Sequence, residues 1–303
     1  MKTVRCALTQ TCNAYGAMPD KVDGLASLAP RLEEVRRANV AHNVQLIEEA
    51  KGMGAKVVCL GELFPAPYFA LTENPMWLQM AEDALKGPTA KEICKAAYEN
   101  AMIVVAPLYE LDAKTGRRYN TAVVVDERGV VLGRYRKTHI PCGANEKGKF
   151  TETFYYGPGD PPDGQPYFPV FETSAGRLGV NICYDRHFEG VVRSLARAGA
   201  EIVFSPAVTF GAKSRRMWEH EFIVDASRHK VFIGGSNRLG TEKPFDQEYF
   251  GGSYFAGPDG VKLANYSKHP NLVVSDLDMD VLRQADSSGW DLARDERAGI
   301  YSR

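Results

Sequence analysis

Apolar and polar positions along the chain follow two different spacings. Continuous apolar or alternating runs at residues 4–10, 57–60, 102–109, 119–126, 130–137, 178–183, 202–205, 231–236 and 272–277 read as strands. Residues 57–60, Val-Val-Cys-Leu, carry no polar position at all, the mark of a strand covered on both faces. Between strands, apolar residues recur at helical spacing over 31–53, with Val35, Val40, Val44, Ile47 and Ala50 on the inner side. Shorter helices are expected in the dozen residues before the strand at 102, over 189–198 and near 216–228. Glu127-Arg128-Gly129 and the segment from Phe255 to Gly260 read as hairpin turns. The Gly- and Pro-rich stretch 141–170 reads as a long loop, and a loop of that length inside a domain is more often functional than idle.

Two segments resemble each other. Gly54-Ala55-Lys56-Val57-Val58 and Gly199-Ala200-Glu201-Ile202-Val203 lie 145 positions apart, and each closes a helix and opens a buried strand. Nothing recurs at the 20–50 residue periods of solenoids, so two similar halves of one domain are expected over 1–303. The polar tail from about 283, with Trp290 and Tyr301, is expected to form an arm that docks on a neighbouring copy in a homo-oligomer.

Composition narrows the partners. With 37 basic against 38 acidic residues and a formal charge of -1, no general polyanion-binding field is expected, a local basic patch aside, so nucleic acid is not expected as a partner. No apolar run approaches a membrane span, and the first ten residues look like a strand rather than a leader. The six cysteines, at 6, 12, 59, 94, 142 and 183, form no C-x-x-C pair, so reduced thiols in a cytoplasmic protein are expected rather than disulfides or zinc.

Three strand ends carry the chemistry. The strand 178–183 stops on Cys183 and turns into Tyr184-Asp185-Arg186-His187. A cysteine at a strand end is usually a small core hydrophobe, but a turn into charged residues exposes the sulfur, and Arg186 and His187 favour its thiolate, so Cys183 is the candidate nucleophile. Glu62 follows four apolar residues and precedes Leu63-Phe64; a desolvated carboxyl group there can act as general base and acid. Lys137, at the end of another strand, is placed to stabilise an oxyanion, and Glu152 to orient that lysine or the substrate. A Cys–His pair built on His139 or His187 stays open as an alternative. Other matches fail: Gly143 to Lys149 would be a phosphate loop except that Phe150 stands where Ser or Thr must bind magnesium, and His220-Glu221 lacks the second histidine of a zinc motif, Val224 occupying its place.

Glu62, Lys137 before His139-Ile140-Pro141, and Cys183 within Asn-Ile-Cys-Tyr-Asp-Arg-His, in this order, resemble the nitrilase superfamily of carbon–nitrogen hydrolases over nearly the whole chain. Phe150-Thr151-Glu152, Tyr155-Tyr156 and Asn237-Arg238-Leu239-Gly240-Thr241-Glu242 are similar to the β-ureidopropionases and N-carbamoyl amino acid hydrolases within it. The resemblance implies an α-β-β-α four-layer sandwich. It also implies hydrolysis of an N-carbamoyl amino acid through a cysteine thioester, with no metal or organic cofactor, and the Tyr184 backbone N–H joining Lys137 at the oxyanion. Arg186 is expected at the substrate carboxylate, or else paired with Asp185 or another acid. His187, Asn237 and Arg238 are expected to wall the pocket. Nitrile-specific members typically carry Trp-Glu after the cysteine, so Tyr184-Asp185 argues against a nitrile; Asp185 itself departs from the Gly found in ureidopropionases. An amidase acting on a simple amide, or a catalytically silent scaffold, are the competing readings.

Overall fold

The computed structural model describes residues 2–161 and 164–300. Its first half runs β1 (Thr3–Thr9), α1 (Leu32–Gly52), β2 (Val57–Cys59), α2 (Pro88–Asn100), β3 (Ile103–Leu111), β4 (Arg118–Val125) and β5 (Val131–Arg136). A small hairpin, β6 (Cys142–Asn145) and β7 (Gly148–Thr151), leads into the single turn α3 (Glu152–Tyr155). The second half runs β8 (Val170–Thr173), β9 (Gly176–Val180), α4 (Glu189–Arg197), β10 (Ile202–Ala207), α5 (Ala212–His229) and β11 (Phe232–Asn237). It continues with the hairpin β12 (Leu239–Glu242) and β13 (Gln247–Phe250), then β14 (Tyr254–Ala256), β15 (Leu272–Asp278) and the short α6 (Leu292–Asp295). Six strands form one sheet in the order β15-β1-β2-β3-β4-β5, and five form another, β14-β11-β10-β9-β8.

Side-chain alternation sorts these strands into layers. Val4, Cys6 and Leu8 of β1, Val57 and Cys59 of β2, Ile103 and Val105 of β3, and Ala122 and Val124 of β4 join Leu178, Val180, Ile202, Phe204 and Ile233 between the sheets. The intervening residues, Ala7, Val58, Val104, Ala106 and Val123, face outward onto Val40, Leu46, Ile47 and Ala50 of α1 and Ile93, Ala96 and Ala97 of α2. Trp218, Phe222 and Ala226 of α5, with Val191, Val192 and Leu195 of α4, cover the second sheet. The result is helix, sheet, sheet, helix.

The repeated segments occupy equivalent places. In β1-α1-β2-α2-β3 and β9-α4-β10-α5-β11 the three strands are parallel neighbours. Gly54 and Gly199 both take positive φ, 84° and 94°, a conformation open to glycine at little cost. The amides of Ala55 and Ala200 both reach back 3.0 Å to the preceding helix, and those of Lys56 and Glu201 both donate at 2.8 Å to the neighbouring strand, at Arg5 and Arg177.

Several expectations need correction. The strand expected to reach Cys183 ends at Val180, and Cys183–His187 form a 3-10 turn. The long loop contains the β6–β7 hairpin and α3; its residues 162–163 lie outside the described residues. Helix α5 starts at Ala212 rather than near 216, because the Glu146 carboxylate in the turn between β6 and β7 accepts the Ala212 amide, a cap supplied from 66 residues away. On α1, polar Arg36, Asn39 and Asn43 are buried beside the apolar face; Arg36 pairs with buried Glu82, which also accepts from Thr89. Within the chain the tail is tethered at two points, Glu296 pairing with Arg197 and the Gln284 carbonyl accepting from Lys230, contacts that leave exposed Trp290 free for the expected docking on a neighbouring copy; Tyr301 lies outside the described residues. Among the described residues no helix is long and apolar enough to cross a membrane.

Candidate active site

Glu62, Lys137 and Cys183 each lie just beyond the end of a strand, β2, β5 and β9, where open α/β sheets place their ligands. The two facing sheets bring these ends together. Glu62 is wholly buried; its Oε1 accepts from Lys137 Nζ at 2.8 Å and from Asn120 Nδ2 at 2.7 Å, and its Oε2 accepts from the Val208 amide at 2.6 Å. Lys137, also wholly buried, donates in addition to Glu152 Oε2 at 2.6 Å, and Glu152 Oε1 accepts from the Tyr68 hydroxyl at 2.8 Å. A carboxylate–ammonium–carboxylate chain thus runs through the interior.

Burial would strip the Lys137 proton, yet the charges of Glu152 and Glu62 outweigh it and hold the amine above its ordinary value. Burial also raises Glu152, more than Lys137 lowers it, with Glu62 adding in the same direction. The Cys183 thiol is pushed up to about 12, first by burial and next by Glu62, against the opposing pull of Lys137 and Arg186. The sulfur is thus buried rather than exposed, and burial with Glu62 outweighs the cations expected to favour its thiolate. Its Sγ sits 3.6 Å from the Val208 carbonyl and 3.8 Å from Arg186 Nη1.

The backbone is strained on both sides of this network. Cys183 has φ 51° and Leu63, next to Glu62, φ 50°, a left-handed conformation uncommon in residues with a side chain. Such residues persist where the surroundings hold them in place. Asp185 holds the cysteine turn: wholly buried, it accepts from Tyr135 Oη at 2.6 Å and from Thr138 Oγ1, the His139 amide and the Ile182 amide at 3.0 Å, and it lies 2.8 Å from His139 Nδ1. One carboxylate thereby joins the turn that carries Cys183 to the strand end that carries Lys137.

Arg238 holds the Glu62 turn. It pairs with Glu242 and donates to the carbonyls of Glu62, Leu63 and Ala66 at 3.1, 3.0 and 2.8 Å. Asn237 Oδ1 accepts from the Thr209 amide at 3.0 Å, steadying the loop that also presents Val208. Both were expected as pocket walls. Neither is among the residues lining the cavity, because their polar groups are turned onto backbone behind it.

The cavity has a volume of about 170 Å3, and Cys183, Glu152, Tyr184, Arg186 and His187 line it together with Tyr68, Glu146, Phe210 and Lys213. The Tyr184 amide lies in the first turn of its 3-10 segment, where a helix leaves N–H groups without an internal acceptor. The expected alternative pairing of Arg186 with an acid is the one found, though the acid is Glu221 of α5, at 3.1 Å, rather than Asp185. His187 pairs with the same Glu221, and His139 is stacked on Phe188 with ring centres 3.8 Å apart, so among the described residues neither histidine bonds to Cys183.

Sequence reasoning missed Asn120, Tyr68, Glu221 and the anchoring role of Asp185. Only Asp185 left a legible signal, as a charged residue inside the cysteine turn.

Residues 25–286 match the family described as carbon-nitrogen hydrolase. The chain belongs to this family. Similar proteins include the β-ureidopropionase of Arabidopsis thaliana, 32% identical over 92% of this chain and 69% of that one. The N-carbamoylputrescine amidase of Oryza sativa subsp. japonica is 33% identical over 88% of this chain and 89% of its own. The crystal structure of a carbon-nitrogen hydrolase from Helicobacter pylori G27 superposes with a TM-score of 0.81 at 26% identity, covering 99% of this chain and 97% of the other. This carbon–nitrogen hydrolase thus has the four-layer nitrilase-type sandwich that its sequence implied.

Proposed function

We propose that the protein hydrolyses an N-carbamoyl amino acid, of the N-carbamoyl-β-alanine kind, to the amino acid, ammonia and carbon dioxide. The buried Glu62–Lys137–Glu152 chain beside Cys183, with Cys183 and Glu152 on the wall of one cavity, is the observation that carries this reading. The names of the Arabidopsis and rice relatives, which say ureido and carbamoyl, support that group as the one attacked.

With burial and Glu62 raising the Cys183 thiol, its proton leaves as the bond forms. Glu62 takes it while the sulfur adds to the ureido carbonyl carbon and the carbonyl electron pair moves to oxygen. Lys137 and the Tyr184 N–H meet that oxyanion in a site with little water to screen them. Collapse expels the terminal nitrogen as ammonia, carrying the proton from Glu62, and leaves the carbamoyl carbon bonded to sulfur. Glu62 then draws a proton from water, hydroxide adds to that carbon, and the sulfur departs and regains its proton. The released carbamic acid loses carbon dioxide. Glu152, bonded to Lys137, fixes the ammonium between the two carboxylates.

A panel of ureides, amides and nitriles assayed for both gases checks this. N-carbamoyl-β-alanine or an N-carbamoyl α-amino acid should release ammonia and carbon dioxide in equal amounts, with kcat/KM above that for simple amides. Ammonia without carbon dioxide, from amides alone, would replace this reading with an amidase.

A further inference from the structure

The least accounted-for group in the cavity is Arg186. Its side chain is almost wholly buried, yet a cation at that depth is costly unless every N–H finds a partner. Nε donates to Glu221 Oε2 at 3.1 Å, Nη1 to the Cys183 carbonyl at 2.7 Å, and Nη2 to Thr209 Oγ1 at 3.4 Å. Its guanidinium carbon stands 5.3 Å from the centre of the Trp218 ring. The fork that would grip a substrate carboxylate is therefore already turned onto protein, and the same Nη1 lies 3.8 Å from the nucleophile's sulfur.

We infer that Arg186 is a catalytic residue for the Cys183 sulfur: its fixed positive charge stabilises the thiolate as the proton leaves for Glu62 and again when the sulfur departs from the carbamoyl carbon. This rests on Cys183 being the nucleophile. Glu221 and Thr209 hold the guanidinium in place, so that Arg186 is a positioned charge and not a mobile receptor. The ionisable groups facing the sulfur include Glu62 beyond β2, Lys137 beyond β5, Glu152 of α3, the Tyr68 hydroxyl and Arg186 itself; of these, Lys137 and Arg186 lower the thiol and the two carboxylates raise it. Lys137 is bonded to both carboxylates, whereas Arg186 pairs with a different acid, Glu221, and bonds the backbone of the cysteine itself. Thiolates beside cations are favoured for this reason.

The test is the rate at which iodoacetamide alkylates Cys183, followed by peptide mass across pH 7–10, in the wild type, Arg186→Gln and Arg186→Lys. At a given pH the Gln variant should alkylate about tenfold more slowly, the consequence of a thiol raised by one unit, and the Lys variant should recover most of that loss. The kcat/KM of the Gln variant should fall by similar factors on N-carbamoyl-β-alanine and on an uncarboxylated ureide such as N-propylurea. If Gln does not fold, Arg186→Met, which keeps the stem against Trp218, replaces it. An unchanged alkylation rate, with a KM rise confined to the carboxylated ureide, would overturn the inference in favour of a carboxylate receptor. Should alkylation of wild-type Cys183 leave turnover intact, the nucleophile reading itself fails, and this outcome is distinct from the other.

Discussion

Cys183→Ala should leave a folded protein with essentially no turnover. Removing a nucleophile whose base and oxyanion partners act as a unit with it typically lowers kcat by about 10^4 to 10^6, and the remaining members cannot substitute for the lost covalent step. The fold should survive because the substitution removes one buried sulfur whose polar contacts among the described residues are a carbonyl at 3.6 Å and a guanidinium at 3.8 Å. Alanine must also adopt the same left-handed φ of 51°, so the strain of the turn is retained rather than relieved. Ammonia release and the thermal midpoint, measured on the same preparation, check both halves. Turnover within tenfold of the wild type would remove the sulfur from the mechanism.

Lys137→Met should damage both activity and stability. Loss of an oxyanion donor usually costs about 10^2 to 10^3 in kcat, and here the same ammonium also separates two buried carboxylates. Removing one partner from a buried ionic network costs about 3–5 kcal/mol, because the remaining charge stays buried without compensation. The variant's instability should depend on pH. Glu152 is already raised by burial, and Lys137 is the largest influence holding it down. Without the lysine its folded-state value rises further above the unfolded one, so the protonated form is favoured in the fold. Stability is then largest at low pH and falls as pH rises through the folded value, so the deficit relative to wild type should shrink on acidification. Denaturant midpoints between pH 5 and 8 measure this; a deficit independent of pH would show that the two carboxylates are not left uncompensated.

The layers were legible because burial repeats along the chain. Val57-Val58-Cys59 is apolar on both faces and became a central strand, and the paired Gly54 and Gly199 segments became equivalent turns in the two halves. The strand ends were legible for a related reason: a carboxylate, an ammonium and a thiol each stand at the end of an apolar or alternating run, and polar groups there must meet one another or water. What stayed hidden is non-local. Glu146 capping α5, Asp185 tying His139 to the cysteine turn, and Arg238 threading three carbonyls beyond β2 all depend on which loops the sheets bring together. Arg186 shows the limit most plainly. Its place beside Cys183 suggested a cation in the pocket, but Glu221 lies 35 residues away, and nothing in the local sequence says which acid will orient the guanidinium.

The measurement nearest to the central claim is the mass of the enzyme quenched in acid during turnover of N-carbamoyl-β-alanine, with peptide mapping. The mechanism predicts an adduct on the peptide containing Cys183, equal to the substrate less ammonia, that forms and decays with turnover. Steady turnover with no adduct on Cys183 under conditions where hydrolysis of the intermediate is slowed, or an adduct on another residue, would contradict it.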